Sequence, residues 1–164
     1  MHVIEKRFCI VFMLKVYIMN YHIGTKVEIC CDEDGFQGAW FPGTIIGHVA
    51  NAQRPKYVIQ YDHFIIDELT WEPLIEEFFI EYIRPTPPLL SLPGYIPLDF
   101  VVDVYENDCW WSGMVFEKFE SPLSQQQFFE IYFPHTQTLQ AYSQAHLCRS
   151  HDWVNRRWIL RQCY

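Results

Sequence analysis

The sequence predicts an all-β protein built from two small, bent barrels of four or five short strands each. Three observations carry this prediction. Aromatic residues make up 18% of the chain, and small barrels use large rings because a short strand buries most area with them. Short strand patterns occur in two series, one before and one after residues 84–97. A motif at residues 32–45 recurs at residues 106–115, which indicates one module used twice.

The two copies of this motif share an order of residue types. The first, "DEDGFQGAWFPGTI", sets three acids and a turn before Phe36, Trp40 and Phe41. The second, "ENDCWWSGMV", sets an acid and an Asn-Asp turn before Trp110 and Trp111. Neighbouring residues of a strand point to opposite faces. One ring of each adjacent pair is therefore expected in a core and the other is free, and we expect Trp40 and Trp110 to be the core rings.

The individual strands follow from runs of β-branched and aromatic residues that polar turns separate. The first series reads "TKVEICC", "AWFPGTIIGHV", "KYVIQYDHF" and "FFIEYIRP". The second series reads "DFVVDVYE", "WWSGMVFEKF", "QFFEIYF", "TLQAYSQ" and "AHLCRS". The only helical element expected is a turn or short helix at residues 150–158.

The segment "RPTPPLLSLPGYIP" divides the chain, because its five prolines and one glycine end one pattern before the next begins. Its prolines are expected to hold the chain extended and to prevent the two halves from tumbling freely. The predicted organisation is an N-terminal extension of unassigned role at 1–22, a first repeat at 23–84, a Pro-rich linker at 85–97, a second repeat at 98–158 and a C-terminal tail at 159–164.

The charge of the chain favours a basic partner. The formal net charge is −8, and residues 23–88 hold eleven acidic side chains against four basic ones. Such a field repels phosphate backbones and attracts cationic peptides. The six cysteines are scattered and contain no C-x-x-C pair, so neither a disulfide framework nor a paired zinc knuckle is indicated.

No motif of an enzyme is present. The chain lacks G-x-S-x-G, a phosphate loop and H-E-x-x-H. His146, Cys148 and His151 stand at spacings that a metal could use, but no fourth ligand is evident. The adjacent Glu76 and Glu77 are read as a solvated face. We therefore expect a protein that is not an enzyme, with no catalytic residues, no metal and no cofactor.

Five blocks of the sequence, in order, carry a resemblance to a known family. They are "VEICCDEDGFQGAWFPGTI", "KYVIQYDHFIIDE", "PLIEEFFIEYIRPTPP", "VVDVYENDCWWSGMV" and "FEIYFPHTQTLQAYSQAHLCRSHDWVNRRW". Together they resemble a tandem Agenet repeat of plant chromatin proteins, which is a Tudor-like family, over residues 23–158. The resemblance implies two tandem, five-stranded, bent antiparallel Tudor-like barrels. It also implies a nuclear protein that reads methylated lysine on the histone H3 tail.

In this family an aromatic cage holds the methylated lysine, and the resemblance selects its rings by position. Faces of aromatic rings can replace the water around a methylammonium through cation–π attraction of about 0.5–2 kcal/mol per contact. In the first repeat the matching rings are Phe41, Tyr61 and Phe64, with Phe36 or Trp40 as substitutes. In the second repeat they are Tyr105, Trp111 and Phe133. Each cage is thus expected to hold three rings.

Acidic residues near these rings are expected to draw in a basic peptide. They are Asp32, Glu33, Asp34, Asp62 and Asp108. The implied partner is a methylated histone H3 tail, with other chromatin proteins as further partners and with neither a small-molecule substrate nor a membrane. The rival hypothesis is a docking module for protein or, less favoured, RNA, with Tudor-like barrels but no recognition of methyl-lysine. Histone peptides that differ only in lysine methylation separate the two hypotheses.

Overall fold

The computed structural model describes residues 21–30, 35–121 and 126–161, and this part of the chain is built from β-strands. Two short 3-10 turns, Ile80–Tyr82 and Gln144–His146, accompany the strands, and these residues contain no α-helix. The strands are β1 (Lys26–Cys30), β2 (Ala39–His48), β3 (Lys56–Asp67), β4 (Glu72–Phe79), β5 (Ile83–Pro85), β6 (Val101–Glu106), β7 (Cys109–Glu120), β8 (Gln127–Phe133), β9 (Thr138–Ser143), β10 (Leu147–Arg149), β11 (His151–Val154) and β12 (Arg157–Leu160). The prediction of an all-β protein is confirmed.

Each half of the molecule contains five antiparallel strands in the same order. The order is β5-β1-β2-β3-β4 in the first half and β10-β6-β7-β8-β9 in the second. The pairing register shifts between Ile45 and Gly47 in β2 and between Val115 and Glu117 in β7. Such irregularities bend a strand and increase its twist. The long second strand of each half therefore curves around its own core at the corresponding place.

One glycine in each half allows the curved strands to approach closely. A Cβ on Gly43 would lie 2.8 Å from side-chain atoms of both Ile29 and Ile59, and a Cβ on Gly113 would lie 2.4 Å from Ile131. A methyl group cannot fit at these distances without displacing the buried isoleucines. The matching positions of the two glycines confirm that one module is repeated.

Three clusters of buried side chains make up the interior. The first half has its core in Tyr21, Val27, Ile29, Ile45, Tyr57, Ile59 and Ile83. The second half has its core in Ile96, Val102, Val104, Val115, Phe129, Ile131, Phe133, Tyr142 and Leu147. A third cluster lies where the halves meet and comprises Ala39, Phe41, Tyr61 and Cys109. Trp111 packs against both the second and the third cluster, so it links the two halves.

A direct strand pairing also joins the two halves. Ala39 of β2 pairs with Trp111 of β7, and Trp40 pairs with Trp110. The ten strands β1–β10 thus form one continuous sheet. Rigid coupling was predicted from the prolines of the linker, but this shared backbone pairing gives a more direct physical reason for it.

The Pro-rich segment packs onto the second half. Ile96 is buried in the second core, and Leu92 and Phe100 pack against that core. At the other end of the segment, Pro85 is the last residue of β5 and pairs with Val27. Side chains along the linker are therefore bound to the folded halves at both of its ends.

Of the turn or short helix expected at residues 150–158, the structure shows a turn at Asn155 and Arg156 and no helix, because the flanking residues form a β-hairpin. β11 and β12 pair from His151–Leu160 to Val154–Arg157. The two residues between them, Asn155 and Arg156, have φ values of 50° and 64°, which are typical of the type I′ turns that close two-residue hairpins. Asn tolerates positive φ, whereas the Arg that follows it is an unusual choice. The turn therefore carried a weak signal in the sequence.

The ends of the chain lie partly outside the described residues. Of the predicted extension, residues 1–20 are outside, whereas Tyr21 packs in the first core with its ring 5.5 Å from that of Tyr57. Of the predicted tail, Ile159 and Leu160 belong to β12 and residues 162–164 are outside. Within the part of the chain that the structure describes, no helix has the length and apolar character needed to cross a membrane.

An ion pair is buried at the interface between the two halves. Glu28 on β1 and Arg84 on β5 are directly opposite in the sheet, and Arg84 donates to Glu28 at 2.7 Å. The guanidinium of Arg84 also lies 3.7 Å from the ring centre of Trp40. On the side of the second half, the carboxylate of Asp103 accepts hydrogen bonds from Ser112 and Ser150. The buried charges lose their water on folding, and these contacts with protein groups take its place.

The buried ion pair predicts a specific dependence of stability on pH. Burial raises the pKa of Glu28 to about 7, and Asp103 adds to the rise, although Arg84 opposes it. Because the folded state holds this proton more tightly than the unfolded chain does, the contribution of Glu28 to stability is full below the ordinary carboxyl pKa and falls as pH rises toward 7. Denaturant titrations at several pH values should show this loss, and it should be absent from Glu28→Gln. An identical slope in that variant would contradict the assignment.

Candidate peptide-binding site

Five aromatic rings of the first half line one pocket, namely Phe36, Phe41, Tyr61, Phe64 and Phe78. Phe41 lies 5.6 Å from Phe36, 5.6 Å from Phe64 and 6.1 Å from Tyr61, measured between ring centres, and Tyr61 lies 5.6 Å from Phe64. All four contacts are edge-on. The pocket has a volume of about 570 Å³, and Leu74 is among the residues that line it. The structure therefore brings together the three rings selected for the first repeat and one of their two substitutes.

A local irregularity of β3 places Tyr61 and Phe64 in the same pocket. Three residues apart on a regular strand, these side chains would point to opposite faces. Gln60 pairs with Ile75 and Ile65 pairs with Pro73, so residues 61–64 lie opposite a single residue of β4. The extra residues reorient the strand, and both rings reach the third cluster and the pocket.

Two carboxylates from β4 also line the pocket. Glu76 accepts a hydrogen bond of 2.8 Å from the hydroxyl of Tyr61. Glu77 forms an ion pair of 2.8 Å with Lys56, and its side chain is 49% exposed. Both glutamates are exposed, as expected of a solvated face, but nothing in the sequence indicated that they line the pocket. The signal that could have revealed it is the pairing of β4 with β3, since that strand carries two of the predicted rings.

The adjacent rings of β2 do point to opposite faces, but the predicted assignment of core and free ring is reversed. Phe41 is buried in the cluster between the halves, while its edge contributes to the pocket. Trp40 is half-buried on the other face and lies over Arg84. The expectation that Trp40 is a core ring, or a substitute in the cage, is therefore corrected. Its physical role is to cover the buried guanidinium.

In the second half the three predicted rings do not meet in one cage. Tyr105 pairs with Trp110 across β6 and β7, whereas Trp111 pairs with Val104. Since paired residues share a face and their neighbours point away, Tyr105 and Trp111 lie on opposite faces of the sheet. Tyr105 contacts the ring of Trp110 at 4.9 Å, so Trp110 is an outer-face ring and not the core ring that the sequence predicted.

In the second half, Phe133 and Tyr142 are engaged in contacts within the protein. Phe133 is buried against Tyr142, with ring centres 6.0 Å apart. The hydroxyl of Tyr142 donates to Glu106 at 2.7 Å and also contacts Gln140. Burial raises the pKa of Tyr142, and the hydrogen bond to Glu106 adds to the rise. The hydroxyl is thus a bound donor at neutral pH.

The predicted acidic groove is only partly described. Asp32, Glu33 and Asp34 lie outside the described residues. Asp62 faces away from Tyr61 on β3, where it forms an ion pair of 2.9 Å with Lys26 and accepts from Thr44.

Asp108 occupies the turn between β6 and β7. Burial raises the pKa of Tyr105, and the carboxylates of Asp108 and Asp62 add to it. The carboxylates of Asp62 and Asp108 therefore lie on the outer face near Tyr105, and neither residue lines the aromatic pocket of the first half.

No metal site is formed among the residues that the structure describes, where no group of three or more His, Cys, Asp or Glu side chains could hold an ion. The spaced residues of "HLCRSH" point into different surroundings. His146 contacts the hydroxyl of Ser143, and His151 is buried with its ring 6.1 Å from that of Trp158. Burial raises the pKa of Cys148 to about 12, so its thiol stays protonated and unreactive at neutral pH.

Comparison with known proteins agrees with this architecture. Residues 24–88 match the family model of the Agenet domain. The chain is 31% identical over 141 residues to "Protein AGENET DOMAIN (AGD)-CONTAINING P1" of Arabidopsis thaliana, a match that covers 84% of this chain and 25% of that protein. It is 34% identical over 96 residues to "DUF724 domain-containing protein 3" of the same organism, covering 57% of this chain and 14% of that protein. The chain thus spans a quarter or less of the length of these relatives.

Two solved structures share the fold over most of their length. The crystal structure of Arabidopsis thaliana AGDP1 AGD34 superposes with a TM-score of 0.71 at 29% identity, covering 86% of this chain and 90% of that one. The crystal structure of ADCP1 tandem Agenet domain 3-4 gives a TM-score of 0.68 at 25% identity, covering 87% and 89%. The repeated five-stranded units and their ring-lined pocket define a tandem Tudor-like protein. Within that class, residues 24–88 match the Agenet domain, and the tandem unit as a whole is similar to tandem Agenet proteins of Arabidopsis thaliana.

Proposed function

We propose that the chain is a chromatin reader that binds a methylated lysine of the histone H3 tail in the pocket of its first half. The observation that carries the proposal is the set of five rings, Phe36, Phe41, Tyr61, Phe64 and Phe78, around one opening. An open pocket lined by rings is suited to a large cation with little hydration.

The charges around the pocket support a cationic ligand. A methylated ammonium keeps its positive charge but gives up most of its hydrogen bonds to water, so aromatic surfaces can surround it at little cost. Glu76 and Glu77 supply negative charge at the same opening. A peptide cation bound there would experience both the ring quadrupoles and these carboxylates, whereas a neutral apolar side chain would gain from neither.

The proposed reader has one cage. The second half contributes rigidity, because Trp111 packs against the cluster that contains Phe41 and Tyr61. The acidic excess of the first half would attract the Lys- and Arg-rich tail and raise its rate of association. Such a module acts in the nucleus, with the histone H3 tail as its main partner and other chromatin proteins as further ones.

The test is the methyl dependence of peptide binding in ring variants. Phe36 is 42% exposed, so Phe36→Ala should leave the fold intact and remove one wall of the cage. Phe36→Ala and Phe64→Ala, made as separate variants, are each expected to weaken binding of a methylated H3 peptide by about 1–2 kcal/mol, roughly tenfold. Binding of the unmodified peptide should stay nearly unchanged. Calorimetry with both peptides measures the difference. Phe116→Ala, at a 56% exposed ring of the second half, is the matched control and should bind as the parent does.

Two outcomes would reject the reader hypothesis. If the parent binds methylated and unmodified peptides equally, the acidic surface acts without a cage, and the docking module is the better description. If Phe36→Ala and Phe64→Ala weaken both peptides to the same extent, the rings serve packing. RNA binding with no response to any histone peptide would favour the nucleic-acid form of the rival hypothesis, in which bases stack on exposed rings.

A further inference from the structure

A second cavity lies on the second half, and its character differs from that of the aromatic pocket. Its volume is about 430 Å³, and its walls come from the Pro-rich segment, from β10 and from the end of the β11–β12 hairpin. Tyr95, Phe100 and Leu160 give it an apolar floor and rim, and two cations, Arg149 and Arg161, line it. A concave apolar site with a few polar groups is the usual form of a binding site.

Arg149 is the unusual residue of this cavity. Its Nε atom is buried and has no hydrogen-bond partner among the described residues. Buried donors are almost always paired, and an unpaired one calls for an acceptor such as a ligand or water. Arg161 is different, because its Nε donates to the carboxylate of Asp152 at 2.6 Å. Of the two guanidinium groups at the cavity, that of Arg161 is paired with a carboxylate, whereas the Nε of Arg149 has no hydrogen-bond acceptor among the described residues.

The surroundings of the cavity add to its positive charge. The ammonium of Lys118 lies 4.5 Å from the ring centre of Tyr95, and that ring is 76% exposed. This concentration of cations stands out in a chain with a net charge of −8. It favours an anionic ligand with an apolar portion that covers Tyr95 and Leu160.

The number and arrangement of the cations favour a peptide over a nucleic acid. A nucleic-acid strand needs a row of cations along its backbone and is repelled by an acidic protein. Arg149, whose Nε has no partner among the described residues, fits a single carboxylate, which can accept two hydrogen bonds from a guanidinium. The apolar walls fit one aliphatic or aromatic side chain next to that carboxylate.

We propose that this cavity binds a short acidic segment of a partner protein, with a carboxylate on Arg149 and an apolar side chain against Tyr95 and Phe100. The ligand has a charge opposite to that of a histone tail. Binding at the two sites is thus chemically independent, and the second half would connect the chain to a further protein. The inference does not rest on methyl-lysine reading, because its probe contains no lysine.

The test uses an array of hexapeptides in a Ser and Gly background. Each peptide carries one Asp or Glu and one Leu, Phe or Tyr, up to three residues apart, and its twin has the acid replaced by Asn or Gln. The parent is expected to bind a subset of the acidic peptides about tenfold more tightly than their twins, and Arg149→Gln should remove that difference. Arg157→Gln is the matched control, because Arg157 is an exposed cation outside the cavity, and its affinities should stay within about twofold of the parent's.

A third variant keeps the test valid if Arg149→Gln fails to fold. Tyr95→Ala removes an exposed ring and is expected to weaken the same acidic peptides with an unchanged melting temperature. Equal binding of acidic peptides and their twins, or binding of neither, would overturn the proposal. So would equal losses in Arg149→Gln and Arg157→Gln. Binding of an oligothymidylate that requires Arg149, without binding of any acidic peptide, would assign the cavity to nucleic acid instead.

Discussion

Replacing Arg84 by Ala is expected to destabilise the protein by about 3–5 kcal/mol, because it leaves a buried carboxylate without its partner. The side chains of Arg84 and Glu28 are only 4% and 1% exposed, so water cannot take the place of the guanidinium. The same change removes the cation that Trp40 covers. Urea or guanidinium titration, followed by tryptophan fluorescence, measures the loss of unfolding free energy.

The loss should depend on pH in a definite direction. Removal of Arg84 takes away both the positive charge and the hydrogen bond that lower the pKa of Glu28. The carboxyl then stays protonated to a higher pH, and a neutral acid is far less costly to bury than an anion. The variant should accordingly lose less stability at pH 5 than at pH 8.

The matched control is Arg54→Ala. Arg54 forms an ion pair with Glu81 on the surface, and the two side chains are 59% and 41% exposed. Exposed pairs contribute about 0–1 kcal/mol, so this variant should remain close to the parent at both pH values. A loss in Arg84→Ala no larger than that in Arg54→Ala would show that the interface between the two halves does not depend on the buried charge pair.

Replacing Trp111 by Ala should cost about 3 kcal/mol, since Trp111 fills the junction between two hydrophobic clusters. The indole N–H also donates to the backbone carbonyl of Glu106 at 3.3 Å. Because the ring supports both halves and lines no open cage, the variant should weaken methylated and unmodified peptides alike once stability is taken into account. Chemical denaturation together with peptide titration measures both effects.

Trp71→Ala provides the control for loss of an indole. Trp71 is 75% exposed at the turn between β3 and β4, so its removal should change stability by no more than about 0.5 kcal/mol. An equally mild effect of Trp111→Ala on stability would contradict its role at the junction between the clusters. A selective loss of binding to the methylated peptide would make Trp111 a cage ring, as the resemblance implied.

Much of the candidate site in the first half could be predicted, because the resemblance to Tudor-like barrels implies which positions of each strand carry the rings of the cage. Phe41, Tyr61 and Phe64 were selected in this way, and they lie together at one pocket. Phe36 entered only as a substitute, yet it contacts Phe41 directly. The pocket carboxylates were missed because Glu76 and Glu77 are adjacent, and adjacency on a strand gives no sign of a neighbour's ring.

The second half shows where transfer by position fails. Tyr105 and Trp111 were selected together, but alternation along β6 and β7 places them on opposite faces. The hydroxyl of Tyr142 also donates a hydrogen bond to Glu106, so that this ring is held by contacts within the second half. A family pattern gives the position of a ring, whereas occupation of a pocket depends on which other side chains reach it from distant strands.

The sequence by itself determined the all-β class, the duplication and the acidic character of the chain. Each of these follows from local information, namely the order of strand-forming runs, their turns and the count of charges. The tertiary structure alone decided that β2 pairs with β7, that Arg84 is buried between Glu28 and Trp40, and that the predicted rings of the first half meet at one pocket whereas Tyr105 and Trp111 of the second half do not. These features depend on contacts between residues far apart in the chain, where register and packing select one of several arrangements that the local sequence permits equally well.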